Sequence, residues 1–162
     1  MAQTMQHIAR QDFLSEQVLS TVMEPCEGRF HFVILDTAPG WSPLLINGLV
    51  YVDQVLDPVS MEALAVDGLT AFLEAIRPTQ KSTDLEVKYV LPTFYDRRVR
   101  KSDELLHQLR EHFVDRLCHP IRYSARLSEP PAFGRTICEH APKDHGAEDY
   151  QQLSRHVHGK AA

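Results

Sequence analysis

Asp36 is the residue best placed for chemistry in this sequence. It ends the apolar run "FHFVILD" (30–36), and the turn Thr37-Ala38-Pro39-Gly40 follows it directly. A carboxylate at the carboxyl end of a strand, beside such a turn, is the arrangement that faces a magnesium ion and a phosphate in nucleotide-binding α/β proteins. A plainer role also stands: Asp36 would hydrogen-bond its own turn at Thr37 and Gly40. A second set of candidates is basic. Arg97, Arg98, Arg100 and Lys101 fall within five consecutive positions, and Arg122, Arg126 and Arg135 come from a later loop region. Guanidinium groups can contact phosphates and release counterions without reading any base. Their plainer role is a solvated cluster balanced by Asp96, Asp103 and Glu104.

The bulk properties bound these readings. A chain of 162 residues with 43% hydrophobic and 24% charged residues has the composition of one globular domain. We take it as a single domain over 1–162, with 158–162 as a frayed tail. A net charge of -5 argues against wholesale nucleic-acid binding but leaves room for a local basic face. No apolar run reaches membrane-span length, and Met1 to Arg10 carries no apolar signal-peptide core. Cys26, Cys118 and Cys138 are odd in number and widely spaced, the pattern of reduced thiols in a cytoplasmic protein. Cys138 with His140, and His156 with His158, do not make up the four ligands of a structural zinc site. No Ser/His/Asp set appears, and the adjacency of Cys118 and His119 does not make a catalytic pair.

Periodicity alternates helix and strand. Leu14, Val18, Leu19, Val22 and Met23 lie at helical spacing over 12–24, and Pro25 and Gly28 end that helix. Strands are expected at 30–36, 54–60, 85–94 and 117–123. An apolar helix should follow Gly40, and Trp41 should pack beneath the turn rather than anchor an interface. Ser60 is expected to cap a helix that Pro78 stops. Ser102 is expected to cap another, with Leu105, Leu106, Leu109 and Phe113 as its stripe. A last helix over 146–157 should turn Ala147, Tyr150, Leu153 and Val157 inward. Strands separated by single helices specify an α/β fold: three layers, a mostly parallel sheet, helices on both faces.

With the elements placed, three blocks become recognisable. "FVILDTAPGWSPLLINGLVYVDQVLDPVSMEALAVDGL", "TFYDRRVRKSDELLHQLREHF" and "RLSEPPAFGRTICEHAPKDHGAEDYQQL" resemble, in order and spacing, the ParA/Soj-type partition ATPases, deviant Walker members of the P-loop class. The likeness runs from about residue 12 to 157 and corresponds to the carboxyl-terminal part of the family fold. The family's opening strand and its loop KGGxGK[ST], which cradles the phosphates, have no counterpart here; the one Gly-Lys pair is Gly159-Lys160.

The resemblance implies roles for particular residues. Asp36 matches the Walker B aspartate, which would hold magnesium only if nucleotide is bound. Pro39 and Gly40 match the γ-phosphate-sensing turn, and Thr37 belongs with Asp36 to the remnant of the nucleotide and magnesium site. Arg122, Tyr123 and Ser124 stand where the family has the Pro-Arg-Asn that contacts adenine. Arg98 and Arg126 match arginines of the DNA-binding surface, with Arg97, Arg100 and Lys101 beside them. The chain alone is therefore expected to take no cofactor, and Mg-ATP only if a partner supplies the P-loop. Expected partners are non-specific DNA, a ParB-like protein, and either a P-loop-bearing polypeptide or a second copy joined through exposed strand edges. No membrane partner is expected; the cytoplasm, at the bacterial nucleoid, is the expected location. Two function classes remain: a partition ATPase component inactive in isolation, and a non-enzymatic DNA-binding or protein-interaction module derived from the family.

Overall fold

The structure is a computed structural model that describes residues 15–38, 40–62 and 65–159. By its internal contacts the chain divides into two compact units, Met1–Val55 with Ile76–Glu86, and Leu56–Ala75 with Val87–Ala162.

In the first unit, a 3-10 turn at Ser15–Gln17 leads into helix α1 (Val18–Met23) and a further 3-10 turn at Glu24–Cys26. Pro25 and Gly28 end this helical stretch as expected, Gly28 with a φ of 71°. The expected residues 12–14 lie outside the described ones, and Val22 is exposed. Helix α2 (Pro43–Tyr51) begins as its sequence specifies: Pro43 needs no N–H there, and Ser42 Oγ accepts the Leu45 N–H at 3.2 Å. Asn47, 1% exposed, ties the two helices together. Its Oδ1 accepts the Leu19 N–H at 3.2 Å and its Nδ2 donates to Pro43 O at 3.1 Å.

The segment 30–38 departs from expectation. It joins no ladder among the described residues, and Phe30, Phe32 and Ile34 are 64%, 47% and 89% exposed. A strand is held by the hydrogen bonds and packing of its neighbours. Apolar sequence alone does not supply them. Leu35 is the better-packed member, lying against α2, where a Cβ on Gly48 would sit 3.7 Å from Leu35 Cδ1.

Strands β1 (Gln54–Ser60) and β2 (Glu86–Thr93) match the expected spans closely. Asp53 O accepts from Glu86 N at one end and Thr93 O from Met61 N at the other, so the two run parallel. Because Met61 turns its N–H toward β2, even-numbered residues of β1 face the opposite edge. Pro58 therefore lacks its N–H on the side where no described strand needs one, which is why β1 tolerates it.

In the second unit, β2 pairs on its other edge with the expected fourth strand. That segment forms no continuous strand, because His119-Pro120 interrupts it. It makes parallel bridges Val90 to Leu117 and Tyr95 to Arg122. Phe94, with a φ of 56°, introduces the matching irregularity beyond β2 and is left 60% exposed. Tyr89, Leu91, Cys118 and Ile121 form the core here, with Leu127, Leu153 and Val157 packed on it.

Helix α3 (Ala65–Ser82) corrects two expectations. Ser60 is the last residue of β1 and caps nothing. Pro78 lies inside the helix, which runs on for another turn, with Ser82 and Thr83 hydroxyls donating to Thr79 O at 3.0 and 2.8 Å. Helix α4 (Arg100–His112) starts ahead of Ser102, which sits 3% exposed within the first turn and donates its Oγ proton to Met61 O at 3.3 Å. Leu105, Leu106 and Leu109 are its buried stripe; Phe113 is the half-buried C-cap instead. After two 3-10 turns and the short helix α5 (Ile137–His140), helix α6 (His145–Gly159) buries Ala147 fully, while Tyr150 is 41% exposed and not an inward residue. His158 and Gly159, expected to fray, complete this helix. The architecture is α/β with parallel strand pairing. No helix among the described residues is long and apolar enough to cross a membrane.

Candidate functional site

Asp36, Thr37 and Gly40 are all exposed, and Asp36 makes no hydrogen bond to Thr37 or Gly40. The turn-capping role is thus not taken up. Gly40 has a φ of 108°, a backbone conformation closed to most side chains, so the residue type at this turn is set by geometry. Pro39 lies outside the described residues. Trp41 is 52% exposed and does not pack as a core residue. Among the described residues no group of three or more His, Cys, Asp or Glu side chains could hold a metal ion. One exposed carboxylate does not fit a magnesium-nucleotide site, because a hard cation needs several oxygen ligands and the phosphates need a donor cradle.

The basic set is sorted by its ion pairs. Arg98 is engaged with Asp96: its backbone N–H donates to Oδ1 at 3.0 Å, and its Nη2 to Oδ2 at 2.7 Å. Hydrogen bonds from Arg98 pull the half-buried Asp96 carboxyl down to about 2. Arg100 Nε donates to Glu104 Oε1 at 2.9 Å, one helical turn along α4. Arg97, Lys101 and Arg126 are exposed and form no ion pair with a described residue. An open groove of about 630 Å³ runs past Arg97, Arg98, Arg100 and His107, with Asp103 and Glu104 on its wall.

Residues 122–124 are spent on structure. Arg122 turns its backbone N–H away from β2 and donates it to Asp149 Oδ2 at 2.9 Å. Its guanidinium reaches the same carboxylate, with Nη2 2.8 Å from Oδ1 and Nε 2.9 Å from Oδ2. Nη2 also reaches His145 O and Glu148 Oε2, each at 3.2 Å. Tyr123 O accepts from His145 Nε2 at 2.9 Å, and Ser124 Oγ donates to Asp144 Oδ2 at 3.1 Å while accepting the Arg126 N–H. The triplet thus grips the first turns of α6. The polar groups that would read a base are occupied, although the Tyr123 ring itself is 53% exposed.

Asp149 is the residue that sequence reasoning passed over. It is 2% exposed. Burial alone would raise its carboxyl, but the hydrogen bonds and charge of Arg122 outweigh that and hold it below the usual range. A carboxylate two positions after Gly146-Ala147, small residues that let a helix come close, was the available signal. Asp57, inside β1, is a second omission. Burial pushes its carboxyl up to about 6.

Comparison with known proteins adds what the geometry leaves open. Residues 1–89 match the AAA_31 family of AAA domains. The sporulation initiation inhibitor protein Soj of Bacillus subtilis is 32% identical over 142 residues, 86% of this chain and 56% of that protein. The chromosome-partitioning ATPase Soj of Thermus thermophilus is 34% identical over 131 residues, 79% of this chain and 53% of that one. Among solved structures, cobyrinic acid a,c-diamide synthase from Mycobacterium smegmatis, with bound ADP and magnesium, superposes with a TM-score of 0.72 at 26% identity. The match covers 96% of this chain and 59% of the synthase. The chain spans just over half the length of the curated relatives it matches.

Proposed function

From its membership of the ParA/Soj-type partition family, to which this chain belongs, we propose that it carries the Walker B half of a partition ATPase and binds Mg-ATP only when another segment supplies the phosphate loop. The observation that carries this reading is the state of 30–38. Asp36 ends an apolar segment that joins no strand ladder among the described residues and whose Phe30 and Ile34 are exposed. A strand in that state lacks a neighbour. A polypeptide bringing a strand and a glycine-rich Lys loop would cover it and place phosphate donors beside Asp36. No step of hydrolysis is assigned to this chain's own residues.

DNA is the second ligand of this reading, with weak, sequence-independent contacts to phosphates in the cytoplasm, at the nucleoid. The ion pairs favour Arg97, Lys101 and Arg126 as the carriers, ahead of Arg98 and Arg100, whose charges are already met. A ParB-like protein belongs to the same reading on family grounds alone.

Calorimetric titration with Mg-ATP tests the first claim. The chain alone should give no saturable heat. Binding should appear when a Soj fragment carrying the phosphate loop is added, and Asp36→Ala should abolish it. Tight, Asp36-dependent binding by the chain alone would overturn the reading.

A further inference from the structure

A second groove, of about 340 Å³, lies between α4, the segment at 119–122 and α6. That volume is at the small end of ligand pockets. Its apolar lining is Leu106, 1% exposed, with the buried Pro120 and the ring of Tyr95. Its charges are unequal in their commitments. Asp149 and Glu148 are both engaged by Arg122. Arg110, in the last turn of α4, lines the same groove and makes no ion pair with a described residue. Two further polar side chains line it. Gln152 comes from the turn of α6 after Asp149. His119 has its Nδ1 3.1 Å from Pro120 O, so Nδ1 carries the proton in that contact and Nε2 is the ring's remaining polar atom.

A guanidinium that lines a partly enclosed cavity and that no described carboxylate pairs with has room for an outside counter-ion. Its fork suits two oxygens of one carboxylate or phosphate. We propose that this groove binds a compact oxyanion, a carboxylate or phosphate group, held by Arg110 with the Gln152 amide beside it. Arg122 does not serve it directly: its guanidinium is committed to Asp149 at 2.8 Å, with a longer contact to Glu148 at 3.2 Å.

The test is isothermal titration of the full chain in two arms, inorganic phosphate in one and succinate in the other. At least one should bind saturably, and the arm that does identifies the ligand's chemistry. Arg110→Gln should weaken that binding by about tenfold or more, with unchanged far-UV circular dichroism showing that the fold persists. Arg110→Lys, which keeps the charge but not the fork, should recover part of the loss. Arg155→Gln, elsewhere on α6, should change nothing. No saturable heat in either arm, or equal affinity in wild type and Arg110→Gln, would overturn the assignment.

Discussion

Replacing Asp149 by Ala is the most informative single perturbation of this fold. The carboxylate is 2% exposed and accepts from three donors of one residue, the backbone N–H, Nε and Nη2 of Arg122. Breaking a fully buried ion pair costs about 3–5 kcal/mol. Arg122 is 42% exposed, so water, Glu148 and His145 O can re-solvate its guanidinium, but its backbone N–H loses its partner. The net loss should be about 2–3 kcal/mol, read as a lowered urea midpoint by circular dichroism at constant m-value. The pH dependence carries a second signature. Asp149 is held below the usual carboxylate range, so its contribution is complete above about pH 4 and fades as pH falls through the lower folded value. Asp149→Ala should lose that part of the acid sensitivity. A double-mutant cycle with Arg122→Ala should return a coupling of about 1.5 kcal/mol or more. A loss under about 0.5 kcal/mol, with additive single changes, would refute the clamp as a stabilising element.

Other expectations follow from single observations. Asp57 holds its proton in the folded state up to about 6, so stability should fall as pH rises from about 4 to 6. Asp57→Asn should then stabilise the chain at pH 7 by about 1 kcal/mol, a value discounted for the water that reaches this half-buried group, and should be neutral at pH 4; thermal melts at the two pH values check it. A Cβ on Gly146 would lie 2.9 Å from Leu127 Cδ2 and 3.1 Å from its Cγ, so Gly146→Ala should cost about 1 kcal/mol. Gly68, in α3 with nothing within 4 Å of its Cβ position, should instead gain about 0.5–1 kcal/mol as Ala, by denaturant titration. In a duplex-DNA mobility assay, Arg97→Ala with Lys101→Ala should weaken binding and flatten its salt dependence more than Arg98→Ala, whose charge Asp96 already meets.

Elements with strong local signals were legible in the sequence. β1 was readable from its apolar run, α2 from Ser42 and Pro43, and the stripe of α4 from Leu105, Leu106 and Leu109. The failures fall where distant residues decide. The run at 30–36 has strand composition but no neighbour among the described residues. Ser60 and Ser102 have capping chemistry, yet the first ends a strand and the second is drawn to Met61 O from a residue 41 positions away. At the candidate site, the order of residues gave the Asp36 turn and the arginine cluster. It could not say which arginines were already neutralised, because Asp96 and Glu104 act through rotamers, nor that residues 122–124 were bound to α6. Pairings across 27 positions, like Arg122 with Asp149, leave no periodic trace in one sequence.

The two margins of the sheet are unlike, and that fixes a limit on symmetry. On the outer side of 117–122, Leu117 N–H is taken by Phe113 O, Pro120 has no N–H, and Arg122 N–H is taken by Asp149. β1 has no strand partner on its far side among the described residues. A body with one usable margin cannot stack head to tail, since propagation needs a donor margin and an acceptor margin on every copy. Pairing between copies through the described margin of β1 would be isologous, β1 against β1 about a two-fold axis, and would join two chains.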